Sequence, residues 1–150
     1  MNNLTQYLVD GILQEADEGI TVMLPGGFKP PHEGHLRLAK GYEKLPNVKE
    51  VVILVGPKDR DGINVEDSID AWKILLAGTR NISVGVSKYP SPLLTAYKYI
   101  EEKAKPGQSY ALGSSSKGSD YNRVRDFVDQ HQEDGKYYRD DISVVELPLF

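Results

Sequence analysis

Cysteine is missing from this chain of 150 residues, which excludes disulfides and every zinc site built on thiolates. Histidine is scarce, at three, yet two of the three stand close together, at positions 32 and 35. Basic charge is not in excess. The 18 Lys and Arg against 22 Asp and Glu give a net charge of -4, whereas a general nucleic-acid binder carries a basic surplus. No apolar run approaches the roughly 20 residues that a membrane-spanning helix needs. The opening residues, MNNLTQYLVDGILQEADEG, have no basic start, no long apolar stretch and no small-residue cleavage site, so no signal peptide is expected. What remains is the expectation of a cytoplasmic protein, bound to neither membrane nor nucleic acid. Its length suits one domain with a core that needs no staples.

Five short apolar runs punctuate the chain: ITVML (20–24), VVILV (51–55), ISVGV (82–86), YALG (110–113) and ISVVELPLF (142–150). The first two are almost continuously apolar, as strands buried on both faces are. Helices fit between the runs. One runs from Gly34 to about Lys44. A second is capped by Asn64, with Glu66 and Asp67 in its first turn, a stripe of Val65, Ile69, Trp72 and Leu76, and Gly78 after its end. A third starts at Ser91–Pro92 and stops at Lys105–Gly107. A fourth begins near Asp120, carries Val124, Phe127 and Val128, and ends before Gly135. This alternation predicts an α/β fold: a Rossmann-like, doubly wound sheet of about five parallel strands over residues 19–150. An amphipathic helix over 1–18, with Asn3 and Gln6 at capping-box spacing and Leu4, Tyr7, Leu8 and Ile12 as its stripe, precedes it. That helix either packs on its own sheet or forms a homo-oligomer contact.

The stretch LPGGFKPPHEGHL (24–36) falls at the carboxyl end of the first strand, where open α/β sheets bind ligands. Gly26 and Gly27 permit positive φ and let a ligand approach the backbone. Pro30 and Pro31 fix the path of the loop. Gly34 stands in the first turn of the next helix, whose free N–H groups and positive dipole end attract phosphate. His32 and His35, three apart, share a face if the helix begins by His32. Two imidazoles, a lysine and a helix N-terminus then converge on one spot, a place to hold the charge that builds on a phosphoryl group during in-line displacement. Rival readings fit less well. His32-Glu33-Gly34-His35 is one residue short of HExxH, and two histidines without cysteine make a weak zinc site, so no metal ligands are assigned. GxGxxG is absent. In GSSSKGS (113–119) the lysine precedes the second glycine, unlike a P-loop. A plain surface loop would leave the Gly–Gly, the Pro–Pro and the strand-end position unexplained.

GGFKPPHEGHLRLAK resembles the signature of the HxGH nucleotidyltransferases, the cytidylyltransferase-like superfamily. Its pattern, roughly Gly-x-Phe-x-Pro-x-His-x-Gly-His, is matched throughout from Gly26 to His35. Members include pantetheine-phosphate and nicotinamide-mononucleotide adenylyltransferases and glycerol-phosphate cytidylyltransferases. The resemblance implies transfer of a nucleoside monophosphate from CTP or ATP to a small phosphorylated or phosphonylated acceptor, with release of pyrophosphate and no covalent enzyme intermediate. It implies that His32 and His35 hold triphosphate oxygens and that Lys29 sits beside the acceptor. The backbone at Gly27 and Phe28 would face the nucleotide, and Gly34 would leave room for it. Mg²⁺ would be held mainly by the nucleotide phosphates and water.

Other strand ends extend the expected site. GPKDRDG after strand two offers Lys58 and Arg60. After strand four, Gly113, Ser114, Lys117 and Asp120 loosely resemble the loop that borders the nucleotide in adenylyltransferases of this superfamily, with Arg123 as a further cation. Ser91 and Pro92 read as helix-start residues, Trp72 as core rather than a base-stacking ring, and His131 as surface. One departure stands out. The superfamily usually carries a second phosphate-binding signature, resembling Ile-Ser-Ser-Thr-x-x-Arg, after strand five. No such run follows through Phe150. Loss of a charge-assisted phosphate contact in a desolvated site costs roughly 2–5 kcal/mol, so weak nucleotide binding and slow turnover are expected. The alternative to an enzyme is a non-catalytic nucleotide-binding or interaction module of the same fold.

Overall fold

The computed structural model describes residues 19–114, 120–130, 141–148 and 150. The helix expected over 1–18 lies outside them. Five strands form one sheet: β1 (Ile20–Gly26), β2 (Val48–Val55), β3 (Ile82–Val86), β4 (Ser109–Leu112) and β5 (Ser143–Val144). Four helices connect them: α1 (Glu33–Glu43), α2 (Val65–Leu75), α3 (Pro92–Lys103) and α4 (Asp120–Gln130). The strand order is β3-β2-β1-β4-β5 and every pairing is parallel. This is the doubly wound arrangement expected from the alternation of apolar runs and helical stripes.

Strand period explains the two cores. Val22 and Leu24 of β1, with Val51, Ile53 and Val55 of β2, face one side, where Ala39 and Tyr42 of α1 and Trp72 of α2 cover them. Met23 and Leu54 point the opposite way, against Ala96 and Ile100 of α3 and Val124 and Phe127 of α4. Successive residues on a strand alternate faces, so a strand buried on both sides must be apolar throughout. The helix ends match their capping residues. Asn64 accepts from the Asp67 amide at 2.8 Å, and Ser91 caps α3 with Pro92 in its first turn.

Two strands differ from expectation. β2 begins three residues early, at Val48. β5 contains only Ser143 and Val144 rather than the whole run to Phe150. Val145 adds one bond to the Tyr110 carbonyl, and the chain then leaves the sheet edge. Leu147 packs on the α1/α2 core, and Phe150 lies edge-on to Tyr42 at 4.8 Å. An apolar run thus ends as a strap because its side chains serve a helix face rather than a ladder.

β1 is the switch point. Its chain continues to β2 on one side, and β4 pairs on the other. The crevice at the carboxyl ends of such strands is where this architecture binds ligands. Among the described residues, no helix is long and apolar enough to cross a membrane.

Candidate functional site

The loop between β1 and α1 is built around its histidines. His32 is the N-cap of α1, with extended backbone at φ −141°. Its Nδ1 accepts the Gly34 amide at 3.0 Å, while the Nδ1 of His35 accepts the His32 amide at 3.1 Å. The pair forms a capping box in which imidazoles replace the usual hydroxyl and carboxylate. The rings stack, with centroids 3.8 Å apart and planes 20° apart.

These bonds fix the chemistry of both rings. A neutral imidazole carries one proton, and a nitrogen that accepts a hydrogen bond cannot be the one that holds it. With Nδ1 accepting, each proton sits on Nε2. The pair therefore presents two N–H donors on the far side of the rings from the backbone. A metal ligand would need the Nε2 lone pair, which this tautomer does not offer. Burial, and secondarily the neighbouring His32, pushes His35 down to about 4, so it stays neutral at physiological pH.

The glycines act differently from the expectation. Neither Gly26 nor Gly27 has positive φ; the left-handed residue is Phe28, at φ 49°. A Cβ on Gly26 would lie 2.6 Å from the Phe28 ring, and one on Gly34 would lie 2.8 Å from the His32 ring. Both positions are glycine because aromatic rings fold back over them. Gly27 faces only the Arg60 guanidinium, at ordinary contact distance. The Phe28 ring meets His35 edge-on at 4.9 Å and Trp72 at 5.2 Å. Trp72 is wholly buried, so it packs and does not stack on a ligand base. Its Nε1 has no hydrogen-bond partner among the described residues.

Lys29 turns inward. Its Nζ donates to the carbonyls of Gly56, at 2.5 Å, and Gly27, at 3.1 Å. It stitches the end of β1 to the end of β2, with one of three N–H donors left over. Burial first, and then Arg60, holds this ammonium below the ordinary lysine value, while Asp59 pulls the other way. The Lys29–Pro30 peptide is cis.

A cleft of about 500 Å³ opens beside this loop, between the ends of β1 and β2 and the start of α3. Lys29, Lys58, Asp59 and Arg60 line it, with Gly26, Gly27 and Gly56 on its floor and Ser91 to Leu93 opposite. Arg60 is held by a two-residue hairpin turn. It exchanges backbone bonds with Ile63 across Asp61 and Gly62, at φ 54° and 81°. An Asp-Gly pair at positive φ is the common solution for such a turn. The histidines adjoin the cleft without lining it.

Gly113 and Ser114 leave the neighbouring strand β4. A Cβ on Gly113 would lie 2.9 Å from Val22 and 3.0 Å from Tyr42, so close packing explains this glycine. The Tyr42 hydroxyl donates to the Ser114 carbonyl and accepts its amide, both at 3.0 Å. Burial pushes this phenol up, against the opposing effect of the Ser114 bond. Lys117 and His131 lie outside the described residues. Asp120 begins α4, in the same helix as Arg123.

No protein-family model matches this sequence, and no curated relative is found. Among solved structures the fold is similar to Plasmodium falciparum nicotinic acid mononucleotide adenylyltransferase complexed with APC. The TM-score is 0.44 at 11% identity, covering 88% of this chain and 76% of that one. The same enzyme complexed with NaAD gives 0.43 at 11% identity, covering 88% and 77%. At that score and identity the likeness assigns no function.

Proposed function

We propose that this protein is a nucleotidyltransferase, joining a nucleoside monophosphate from a nucleoside triphosphate to a small phosphorylated or phosphonylated acceptor. One observation carries the reading: two stacked imidazoles that each accept a backbone N–H at Nδ1, with Nε2 unpartnered among the described residues, at the N-terminus of α1 and beside a cationic cleft. Donors that stay neutral do not trap the product anion as strongly as fixed cations, yet they stabilise charge that grows on phosphoryl oxygens. The acceptor oxygen attacks the α-phosphorus, a new P–O bond forms, and the bond to pyrophosphate breaks. His32 and His35 hold triphosphate oxygens. Lys58 and Arg60 hold the anionic acceptor in the cleft, over the floor that Lys29 keeps in place. An ionised phosphate oxygen needs no general base, so orientation and charge stabilisation supply the catalysis. Mg²⁺ arrives with the triphosphate as part of the substrate.

A second reading, a binding module of the same fold, is favoured by the segment after β5, which spends Leu147 and Phe150 on packing rather than on phosphate. One experiment separates the two. ATP, CTP, GTP and UTP, each with Mg²⁺, are titrated against the native chain and His35→Ala, and pyrophosphate release is then followed over a panel of phosphorylated acceptors. The transferase reading expects one base to bind, binding to fall in the variant, and pyrophosphate to appear with an acceptor. Binding without release supports the module. No binding by the folded native chain overturns the transferase and the nucleotide-binding module, and leaves an interaction module of the same fold.

A further inference from the structure

Ser68 is a hydroxyl on the apolar face of α2. It is fully buried, three residues after Val65 and four before Trp72. Its Oγ donates to the carbonyl of Phe28, 40 residues earlier in the chain. That carbonyl belongs to the one left-handed non-glycine residue of the histidine loop. We propose that Ser68 is a positioning residue for His35, acting through Phe28.

The linkage runs in three short contacts. A non-glycine residue at positive φ persists only where its surroundings hold it there. Ser68 anchors the carbonyl side of Phe28, and the notch at Gly26 receives its ring. So fixed, the ring meets His35 edge-on at 4.9 Å and Trp72 at 5.2 Å, and the three rings form a triangle in which His35 and Trp72 lie 6.4 Å apart. His35 then has an apolar wall on one side and the stacked His32 ring on another, and it keeps its bond to the His32 amide. Among the described residues the rings packed against His35 are His32, Phe28 and Trp72, and His32 is the ionisable group that acts on it electrostatically. Without the Ser68 hydroxyl the Phe28 carbonyl is buried and unpaired, which favours a different backbone conformation there. The ring withdraws, water reaches His35, and the imidazole loses its fixed tautomer and direction. The kinetic consequence rests on the transferase reading; the positioning itself is a property of the free protein.

The test follows the histidine Cε1–H signals by NMR against pH in the native chain, Ser68→Ala, Ser68→Thr and a distant core control, Ile100→Val. In the native chain His35 titrates near 4. In Ser68→Ala its midpoint is expected to rise by about one unit or more toward the free value of about 6.5. The threonine variant, which keeps the hydroxyl, restores it, and the control leaves it in place. Once the substrates are known, kcat of Ser68→Ala falls about tenfold, with KM for the triphosphate changed less than about threefold. An unmoved His35 midpoint in Ser68→Ala, or an equal rise in Ile100→Val, overturns the proposal. If Ser68→Ala does not fold, Phe28→Leu takes its place, with the same shift expected and an unmoved midpoint again decisive against it. Because the titration needs no substrate, it stands or falls apart from the transferase reading.

Discussion

The two halves of the sheet are built to different standards. On the β1–β3 side the strands run to 7, 8 and 5 residues, and α1 and α2 both start with a complete capping box. On the other side β4 has 4 residues and β5 has 2. The first half assembles the histidine loop and most of its cleft: α1 supplies the rings, α2 supplies Ser68 and Trp72 behind them, and the β2 end supplies Lys58 and Arg60, while the start of α3 forms the facing wall. The second half joins it along the β1–β4 ladder, which ends with the Gly113 amide on the Met23 carbonyl, and at the Tyr42 hydroxyl, which bonds Ser114. Among the described residues, helix capping is therefore most complete around the histidine loop.

Removing a large core ring on each side breaks this comparison most severely. Trp72→Ala and Phe127→Ala each lose about 3–5 kcal/mol of stability by urea unfolding. Only Trp72→Ala should also abolish nucleotide binding by the folded fraction, because Trp72 backs the Phe28–His35 contact. Next comes His35→Ala, expected to lower turnover about 10²–10³-fold, as does loss of one transition-state donor, measured by pyrophosphate release. Tyr42→Phe removes one side-chain link between the halves, leaving the β1–β4 ladder in place. It leaves the Ser114 amide and carbonyl without their partner and costs about 1–3 kcal/mol, with hydrogen exchange rising at the β4 exit before it rises in α1.

Acid sharpens the same contrast. His35 binds its proton more weakly when folded, near 4, than the ordinary value of 6.5 in the unfolded chain. Between those values the unfolded chain holds more protons, so stability is full above about pH 6.5 and declines as pH falls toward 4. Protonation at Nδ1 also removes the acceptor for the His32 amide, so fraying should start at α1. A urea midpoint that drops between pH 7 and 4.5 in the native chain, and drops less in His35→Gln, is the expected result. The smallest effect belongs to the second half. Arg125 meets Glu146 at 2.7 Å, but both side chains are partly exposed, so Arg125→Ala should change stability by less than about 1 kcal/mol.

Much of the fold was legible before any coordinates. The capping residues Asn64 and Ser91 mark their helices because a side-chain acceptor there replaces a missing carbonyl, and that signal is local. The apolar runs mark β1 to β4 for the same reason. β5 was not legible as a short strand: Leu147 and Phe150 prolong the apolar pattern, and only their tertiary contacts with the α1/α2 core and Tyr42 show that they cover a helix face. In the site, the histidine pair could be read from spacing and strand-end position. The ring contacts of the glycines could not, since the Phe28 and His32 rings fold back over Gly26 and Gly34 only in the folded chain. Ser68 did leave a trace, as a polar residue within the Val65–Ile69–Trp72 stripe. A hydroxyl on a core stripe needs a buried acceptor, but which acceptor depends on a contact spanning 40 positions.

The two histidines each work on both sides of the ring. One nitrogen holds the helix start together, and the other has no partner among the described residues, so under the proposed function folding and chemistry share a single side chain. Deleting either ring confounds the two. Asparagine at position 32 would not, because it is among the best helix caps and carries no imidazole donor. The capping bond of His32 therefore makes the loop separable by one substitution: His32→Asn should keep α1 intact while silencing that half of the proposed donor pair, leaving a folded decoy.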